Sequence, residues 1–456
     1  MSSPGPSQSL HSVRDLGRIV ENVLRLAKLA GAGEAEVHID ETTDALTRFA
    51  NNGIHQNVAE QGLTISIRTA TDGRTARATT NRTDEDSLRG AIEASLSLAH
   101  SQPRDPRLLP MPGRQRYRSV SRFVAQTAAL MPEDRARAVR RVCDLAGRRG
   151  QVAAGIFASG QMQTAMGNSR GLFAAYRQTR AEFSVTMQEE GATSWAKANS
   201  ASVAGFNSLE LAQRASDKAH RSTGPRELEP GRYTVILEPA AVLDLVGFLF
   251  YDFAATALED KRSCLNGRMG KRVFGKNITI LDDVYNPLQL GAPFDGEGLP
   301  RQRVLLVDSG VPKNLVYSRY AARRARKKPT GHGFPLPNEY GEAPMNLVFS
   351  GGKASFDQMI TSTERGLLAT RLWYIREVDP YEKVLTGMTR DGLFLVERGR
   401  VTTAVRNFRF NQSILEMLRN VELLGPAVRA TGEEAFEMVV PAMKIGDFRF
   451  TEVTKF

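Results

Sequence analysis

The spacing of apolar positions changes along the chain, and the change predicts where helices give way to strands. Over residues 13–32, Leu16, Ile19, Val20, Val23, Leu24, Leu26 and Ala27 recur at helical spacing and stop at Gly31 and Gly33, which predicts one amphipathic helix. From 35 to 80 the pattern shortens to runs at 35–39, 45–50, 64–70 and 75–79. Asn51-Asn52-Gly53 and Thr71-Asp72-Gly73 separate them, and such turns join antiparallel strands, so a meander is expected. A helix over 85–99, capped by Thr83, leads into a proline-rich connection over 103–112. A second helix-and-sheet unit follows: a basic amphipathic helix over 133–147, strands over 152–159, 181–188 and 195–202, and a helix over 208–220.

The segment Ser222-Thr223-Gly224-Pro225-Arg226-Glu227-Leu228-Glu229-Pro230-Gly231 cannot continue a helix, and it is expected to be a linker. Beyond it come a strand over 233–237 and a helix beginning near Pro239, where proline suits the first helical position. Further strands are expected at 278–281, 304–307, 315–317, 392–397 and 400–407, with short helices at 355–361 and 412–420. The fold class expected is α+β. Its parts are a disordered tail (1–12), an N-terminal helix-and-antiparallel-sheet domain (13–221), the linker (222–231) and a mostly antiparallel, barrel-like β domain (232–456).

The chain's 456 residues exceed what one hydrophobic core usually organises, which supports two domains. Cys143 and Cys264 are its only cysteines, so neither a disulfide framework nor a cysteine-rich zinc module is expected. A cytoplasmic location is expected: the N-terminus lacks the charged-then-apolar pattern of a secretory leader, and the densest apolar run, 242–250, is too short to span a bilayer. The net charge of +11 is concentrated partly in Arg319, Arg323, Arg324, Arg326, Lys327 and Lys328. A solvated helix end explains this cluster better than a nucleic-acid partner, because no nucleic-acid-binding motif surrounds it.

Isolated candidates for chemistry are weak. His332 lies between glycines and is expected to be a hydrogen-bonding loop residue or a cavity lining. His38, His55, His100 and His220 show no metal-ligand spacing. Asp295 and Glu297 sit in Asp-Gly-Glu-Gly, first of all a turn. Cys264 has no adjacent imidazole in sequence and is expected to be structural, and Asp252, Glu259 and Asp260 read as solvated helix charge.

Ordered motifs carry more. Arg48-Phe49-Ala50-Asn51-Asn52-Gly53-Ile54-His55-Gln56-Asn57, Phe294-Asp295-Gly296-Glu297-Gly298-Leu299-Pro300, Thr330-Gly331-His332-Gly333, Thr386-Gly387-Met388-Thr389-Arg390-Asp391-Gly392 and Val405-Arg406-Asn407-Phe408-Arg409-Phe410-Asn411 appear in one order. Together they resemble the TldD/PmbA family, once described as modulators of DNA gyrase. The resemblance implies a relation to metallopeptidases whose helix carries His-Glu-x-x-x-His, with a cysteine ligand near the C-terminus. Zinc catalysis needs about three protein ligands and an open position for water. Read without gaps, the motif falls on Tyr251, Asp252 and Thr256, and no cysteine follows Cys264, so the ligands are missing.

This pattern resembles the PmbA/TldE branch. It implies a non-catalytic, substrate-holding subunit with no cofactor of its own, zinc being expected in a TldD-like partner. Expected partners are that TldD-like metallopeptidase subunit and an unfolded peptide, with a homodimer in isolation as another assembly. His332, Arg390 and Asn407 are the candidate lining of the peptide cavity. Two other readings stay open: a self-sufficient peptidase with unrecognised residues, and a regulatory protein that binds DNA or a topoisomerase.

Overall fold

The computed structural model describes residues 10–454, and the expected tail falls mostly on positions outside them. Residues 11 and 12 belong to the fold: Ser12 caps α1 (Val13–Leu29) by accepting from Asp15 N, and His11 bonds Glu41 through both its backbone N–H and Nδ1.

Two units of the same order build the N-terminal part. In the first, α1 precedes β1 (Glu34–Ala50), β2 (Gly53–Thr71), β3 (Arg74–Thr80) and α2 (Glu85–Ser101). After a short helix α3 (Ala125–Ala128), the second runs α4 (Pro132–Arg148), β4 (Val152–Asn168), β5 (Phe173–Glu189), β6 (Ala192–Ser200) and α5 (Ser208–Arg221). Antiparallel pairing of β1 with β4 joins them into one six-stranded sheet, ordered β3-β2-β1-β4-β5-β6. Both predicted turns form, with Asn51, Asn52 and Asp72 at positive φ. Asp84, not Thr83, caps α2, accepting from Ser87 N at 3.0 Å.

The strands are longer than the apolar runs suggested. β1 continues through Asp40-Glu41-Thr42-Thr43-Asp44, paired on both sides, so backbone bonding carries it where the side-chain pattern lapses. Successive side chains alternate faces. Val37 and Ile39 join the apolar core beneath α1 and α2, while Phe49, Phe157 and Phe183 pack under α4 and α5. Glu36, immediately before Val37, therefore points to the other side, where the cross-strand neighbours Arg68 and Arg77 bind it.

The C-terminal part is an eleven-stranded, mostly antiparallel sheet. It starts with β7 (Arg232–Leu237), followed by α6 (Pro239–Val246) and α7 (Ala255–Glu259). Short strands β8 (Ile280–Asp282), β9 (Val304–Asp308) and β10 (Val311–Pro312) come next, with α8 (Arg319–Ala325), β11 (Leu347–Phe349) and α9 (Phe356–Thr361). The long strands are β12 (Arg365–Asp379), β13 (Val384–Glu397) with β14 (Arg400–Ala404), and β15 (Phe408–Ser413). After α10 (Ile414–Arg419) come β16 (Val421–Ala430) and β17 (Met438–Val453). The path β7-β12-β13-β15-β17 closes through β17–β7 pairing, which makes the sheet partly ring-like. Among the described residues only β11–β17 and β12–β7 pair parallel in this sheet. The expected strand at 315–317 is instead a loop held by one bridge, Ala254 to Val316.

The segment 222–231 is not loose. Arg226 N donates to Ala404 O at 2.8 Å, and Leu228 is buried in the C-terminal core. Among the described residues no helix is long and apolar enough to cross a membrane.

Candidate functional site

Pro239 starts α6 at its first turn, but the helix ends at Val246. A 3-10 turn, Gly247–Phe253, follows, and Ala254 is extended (ψ 133°) before α7 begins. The stretch that the resemblance treats as one helix is thus three pieces. At the second break Ala255 N bonds Val316 O in place of a carbonyl of its own turn, and at the first only glycine fits, since a Cβ on residue 247 would stand 2.4 Å from that of Ala435.

Tyr251 and Asp252 fall in the 3-10 turn and Thr256 in α7, so they do not share a helical face. The Tyr251 hydroxyl donates to Tyr340 O at 3.0 Å, with the Arg262 guanidinium 5.6 Å over its ring. Thr256 N donates to Glu342 Oε1 at 2.8 Å. The Asp252 side chain is 2% exposed and meets Lys383 Nζ at 2.7 Å. Its Oδ1 also accepts from Cys264 N at 2.7 Å. Asp252 is thus no solvated helix charge: it is a buried ion-paired carboxylate, because the turn points it inward. Burial raises its pKa despite the opposing pull of Lys383, and burial also drives the Cys264 thiol well up. A buried, protonated thiol is inert, as expected of a structural cysteine.

Asp244, on α6, was not singled out by the sequence. It is fully buried, and its Oδ1 accepts from Glu433 N at 3.2 Å and Glu434 N at 3.1 Å, in the connection between β16 and β17. Its Oδ2 has no hydrogen-bond partner among the described residues. Burial pushes its pKa up to about 7. The fit around it is close, since a Cβ on residue 432 would stand 2.0 Å from Oδ1 and only glycine fits there.

The Asp-Gly-Glu-Gly and Gly-His-Gly motifs pack together. Asp295 Oδ1 accepts from Glu297 N and Leu299 N, and its Oδ2 accepts from Gly333 N at 2.8 Å. This is the turn expected, with Gly298 at φ +79°. His332 is buried, Nε2 2.8 Å from Asp282 Oδ1 and Nδ1 3.0 Å from Thr330 Oγ1. Both ring nitrogens are engaged, so the geometry gives His332 an internal bracing role instead of a place on a cavity wall. Burial pushes Asp282 up, yet His332 and Arg301 hold it below its ordinary value. Glu297 accepts Arg319 N at 2.8 Å, and burial, reinforced by Asp295, pushes its pKa up to about 8. The basic cluster is partly structural too: Arg324 pairs with Glu259, and Arg326 ends α8 in the left-handed region.

Arg390 and Asn407 have different surroundings. Thr389 Oγ1 donates to Asn407 Oδ1 at 3.0 Å, and Asn407 lines a cavity of about 430 Å³ with Asp391, Arg406, Ser222 and Thr193. Arg390 is half-exposed and stacks 4.6 Å over Trp373. The same ring lies 5.6 Å from the Arg371 guanidinium, which covers Trp195 at 4.7 Å and bonds Asp391 at 2.5 Å. Thr193 Oγ1 donates to Asp391 Oδ1 at 2.6 Å, so this cluster ties the two sheets together.

Among the described residues no three His, Cys, Asp or Glu side chains are grouped to hold a metal ion. The positions onto which the motif falls, Tyr251, Asp252 and Thr256, offer a single carboxylate, already paired with an ammonium.

The comparisons with known proteins agree along the length of the chain. Models of the PmbA/TldA metallopeptidase match over 35–99 (domain 1), 124–223 (central domain) and 230–452 (C-terminal domain). An uncharacterized protein of Methanocaldococcus jannaschii is 31% identical over 196 residues, 42% of this chain and 46% of that protein. The metalloprotease PmbA of Escherichia coli O157:H7 is 25% identical over 289 residues, 61% of each chain. The chain spans about half the length of the first curated relatives it matches. Among solved structures, TldE from Thermococcus kodakarensis superposes with a TM-score of 0.85 at 19% identity, covering 95% of this chain and all of that one. A putative modulator of a DNA gyrase from Thermotoga maritima gives 0.85 at 20%, covering 96% and 100%. At these identities the structures establish a shared fold. With its domain models matched in order, this chain belongs to the PmbA/TldA metallopeptidase family.

Proposed function

We propose that the chain is a non-catalytic, substrate-holding subunit that pairs with a TldD-type metallopeptidase acting on unfolded peptides. The observation that carries this reading is the Lys383–Asp252 pair, 2.7 Å apart in the core at the position onto which the glutamate of the His-Glu-x-x-x-His motif falls. An ammonium there competes with any cation for the same oxygens, and Tyr251 and Thr256 supply no imidazole. Zinc and its activated water then belong to the partner, and this chain contributes walls and peptide contacts. Exposed sheet edges suit that task, since main-chain pairing grips a peptide with little regard to its side chains.

The test is metal content and cleavage of an unfolded peptide by this chain alone, by a TldD-type partner alone and by the two co-expressed. The reading expects zinc and cleavage only where the partner is present. Stoichiometric metal or cleavage with the lone chain would overturn it.

A further inference from the structure

The connection Thr431-Gly432-Glu433-Glu434-Ala435-Phe436-Glu437 between β16 and β17 has no regular structure and crosses from the C-terminal sheet onto β6 of the other. Each acidic side chain meets basic or amide groups. Glu433 lies 3.6 Å from Lys197 and 3.9 Å from Arg371, and Glu434 lies 3.5 Å from Arg376. Glu437 accepts from Asn199 at 2.7 Å and pairs with Arg180 at 3.2 Å. Phe436 packs edge-on against Phe250, ring centres 5.4 Å apart. Arg371, which faces Glu433, lies over Trp195 and Trp373, and Arg390 lies over Trp373 as well.

This arrangement has the chemistry of a ligand in a site. Stacked guanidinium groups and an ammonium form a basic, aromatic trough, and the segment over it supplies three carboxylates and a phenyl ring. Docking is imperfect in two respects. The contacts of Glu433 with Lys197 and Arg371 exceed direct hydrogen-bond length, although Glu434 Oε1 accepts from Tyr374 N at 2.5 Å, and Asp244, whose Oδ1 accepts the Glu433 and Glu434 amides, keeps Oδ2 buried without a partner among the described residues. A closed state with an orphaned carboxylate oxygen gains from opening, because water satisfies that atom.

We propose that residues 431–437 form a self-docked acidic strap, and that the trough of Lys197, Arg371, Arg376, Arg390, Trp195 and Trp373 binds an acidic peptide segment bearing an aromatic residue. The strap occupies the trough until such a segment displaces it. This rests on the peptide-holding half of the proposed function and is independent of whether a partner supplies catalysis. Its failure is therefore read from binding to the lone chain, not from cleavage.

The probe is a labelled heptapeptide of the strap's own sequence, Thr-Gly-Glu-Glu-Ala-Phe-Glu, with a control in which each Glu is Gln. In the full chain, E433Q/E434Q/E437Q weakens the strap and is expected to bind the acidic probe about tenfold more tightly than the natural chain, the size expected of three partly exposed polar contacts. Adding R376A and R390A, at two half-exposed positions, removes that gain. Equal affinity of the natural chain and the triple variant, or equal binding of the control, overturns the proposal. Should the triple variant not fold, amide exchange at Glu433 and Glu434 in the natural chain decides. Faster exchange with saturating acidic probe supports displacement, and unchanged or slower exchange overturns it.

Discussion

The ammonium of Lys383 sits 2.7 Å from the buried carboxylate of Asp252, and Glu377 flanks the same ammonium at 2.7 Å. The pair pins the 3-10 turn Gly247–Phe253 to the β12–β13 hairpin. Removing one partner of a buried pair leaves the other charge uncompensated, so Lys383→Met is expected to lower unfolding stability by about 3–5 kcal/mol. Urea denaturation measures the loss, and added zinc is expected not to restore it. Recovery on zinc addition would mean that the site accepts a metal after all.

Histidines in place of Tyr251 and Thr256 would supply two ligands where a zinc site needs about three, while Asp252 stays paired with Lys383. The double substitution Tyr251→His, Thr256→His is expected to bind no stoichiometric zinc in equilibrium dialysis. A one-to-one complex would show that this region completes a metal site with ligands of its own.

Asp244 and Glu297 set the direction of pH dependence. Their folded pKa values, about 7 and about 8, exceed the ordinary carboxylate values because burial disfavours the charge. Between about pH 4 and those values the folded chain holds protons that the unfolded chain has released, so both groups make stability fall as pH rises. Urea midpoints at pH 5.5 and pH 8.5 are expected to drop less between the two for Asp244→Asn and Glu297→Gln than for the natural chain. Identical drops would remove these groups from the account.

Glu36 stands in the opposite case. Arg68 binds it in bidentate fashion at 3.1 and 2.9 Å, and Arg77 adds a contact at 2.7 Å while its Nε reaches Leu336 O in the C-terminal part. Burial would raise the Glu36 pKa, but Arg68 and His38 hold it far below the carboxylate range. Glu36→Gln strips the charge from between two arginines and is expected to cost about 3–5 kcal/mol at neutral pH. The natural chain is expected to lose the same stabilisation as pH falls below the ordinary glutamate value. A cost under about 1 kcal/mol would place the pair with ordinary surface ion pairs.

What the sequence showed depended on how many sides of an element are buried. The helix α1 and the turns at Asn51-Asn52 and Asp72-Gly73 were legible, because one-sided burial leaves a period and positive φ demands particular residues. β12 and β17 were missed. Met438-Val439-Val440-Pro441-Ala442-Met443 is buried on both faces, so it has no alternation to read. The helix beginning near Pro239 gave no sign of where it stops, since nothing local announces that Ala255 N will bond Val316 O. His332 gave no signal of its partner, because Asp282 is 50 residues away. Asp244 was invisible among apolar neighbours for the same reason: the amides it accepts lie about 190 positions further on.

The pairing of β17 with β7 also governs how the polypeptide is made. The first strand of the C-terminal sheet finds one of its two neighbours only in the last described one, more than 200 positions later. During synthesis, residues 232–437 must therefore wait, their apolar surfaces open, until 438–453 leave the ribosome. Such a delay favours capture by chaperones and aggregation at high expression. Fragments ending before Met438 are expected to accumulate as insoluble protein, whatever their activity would have been.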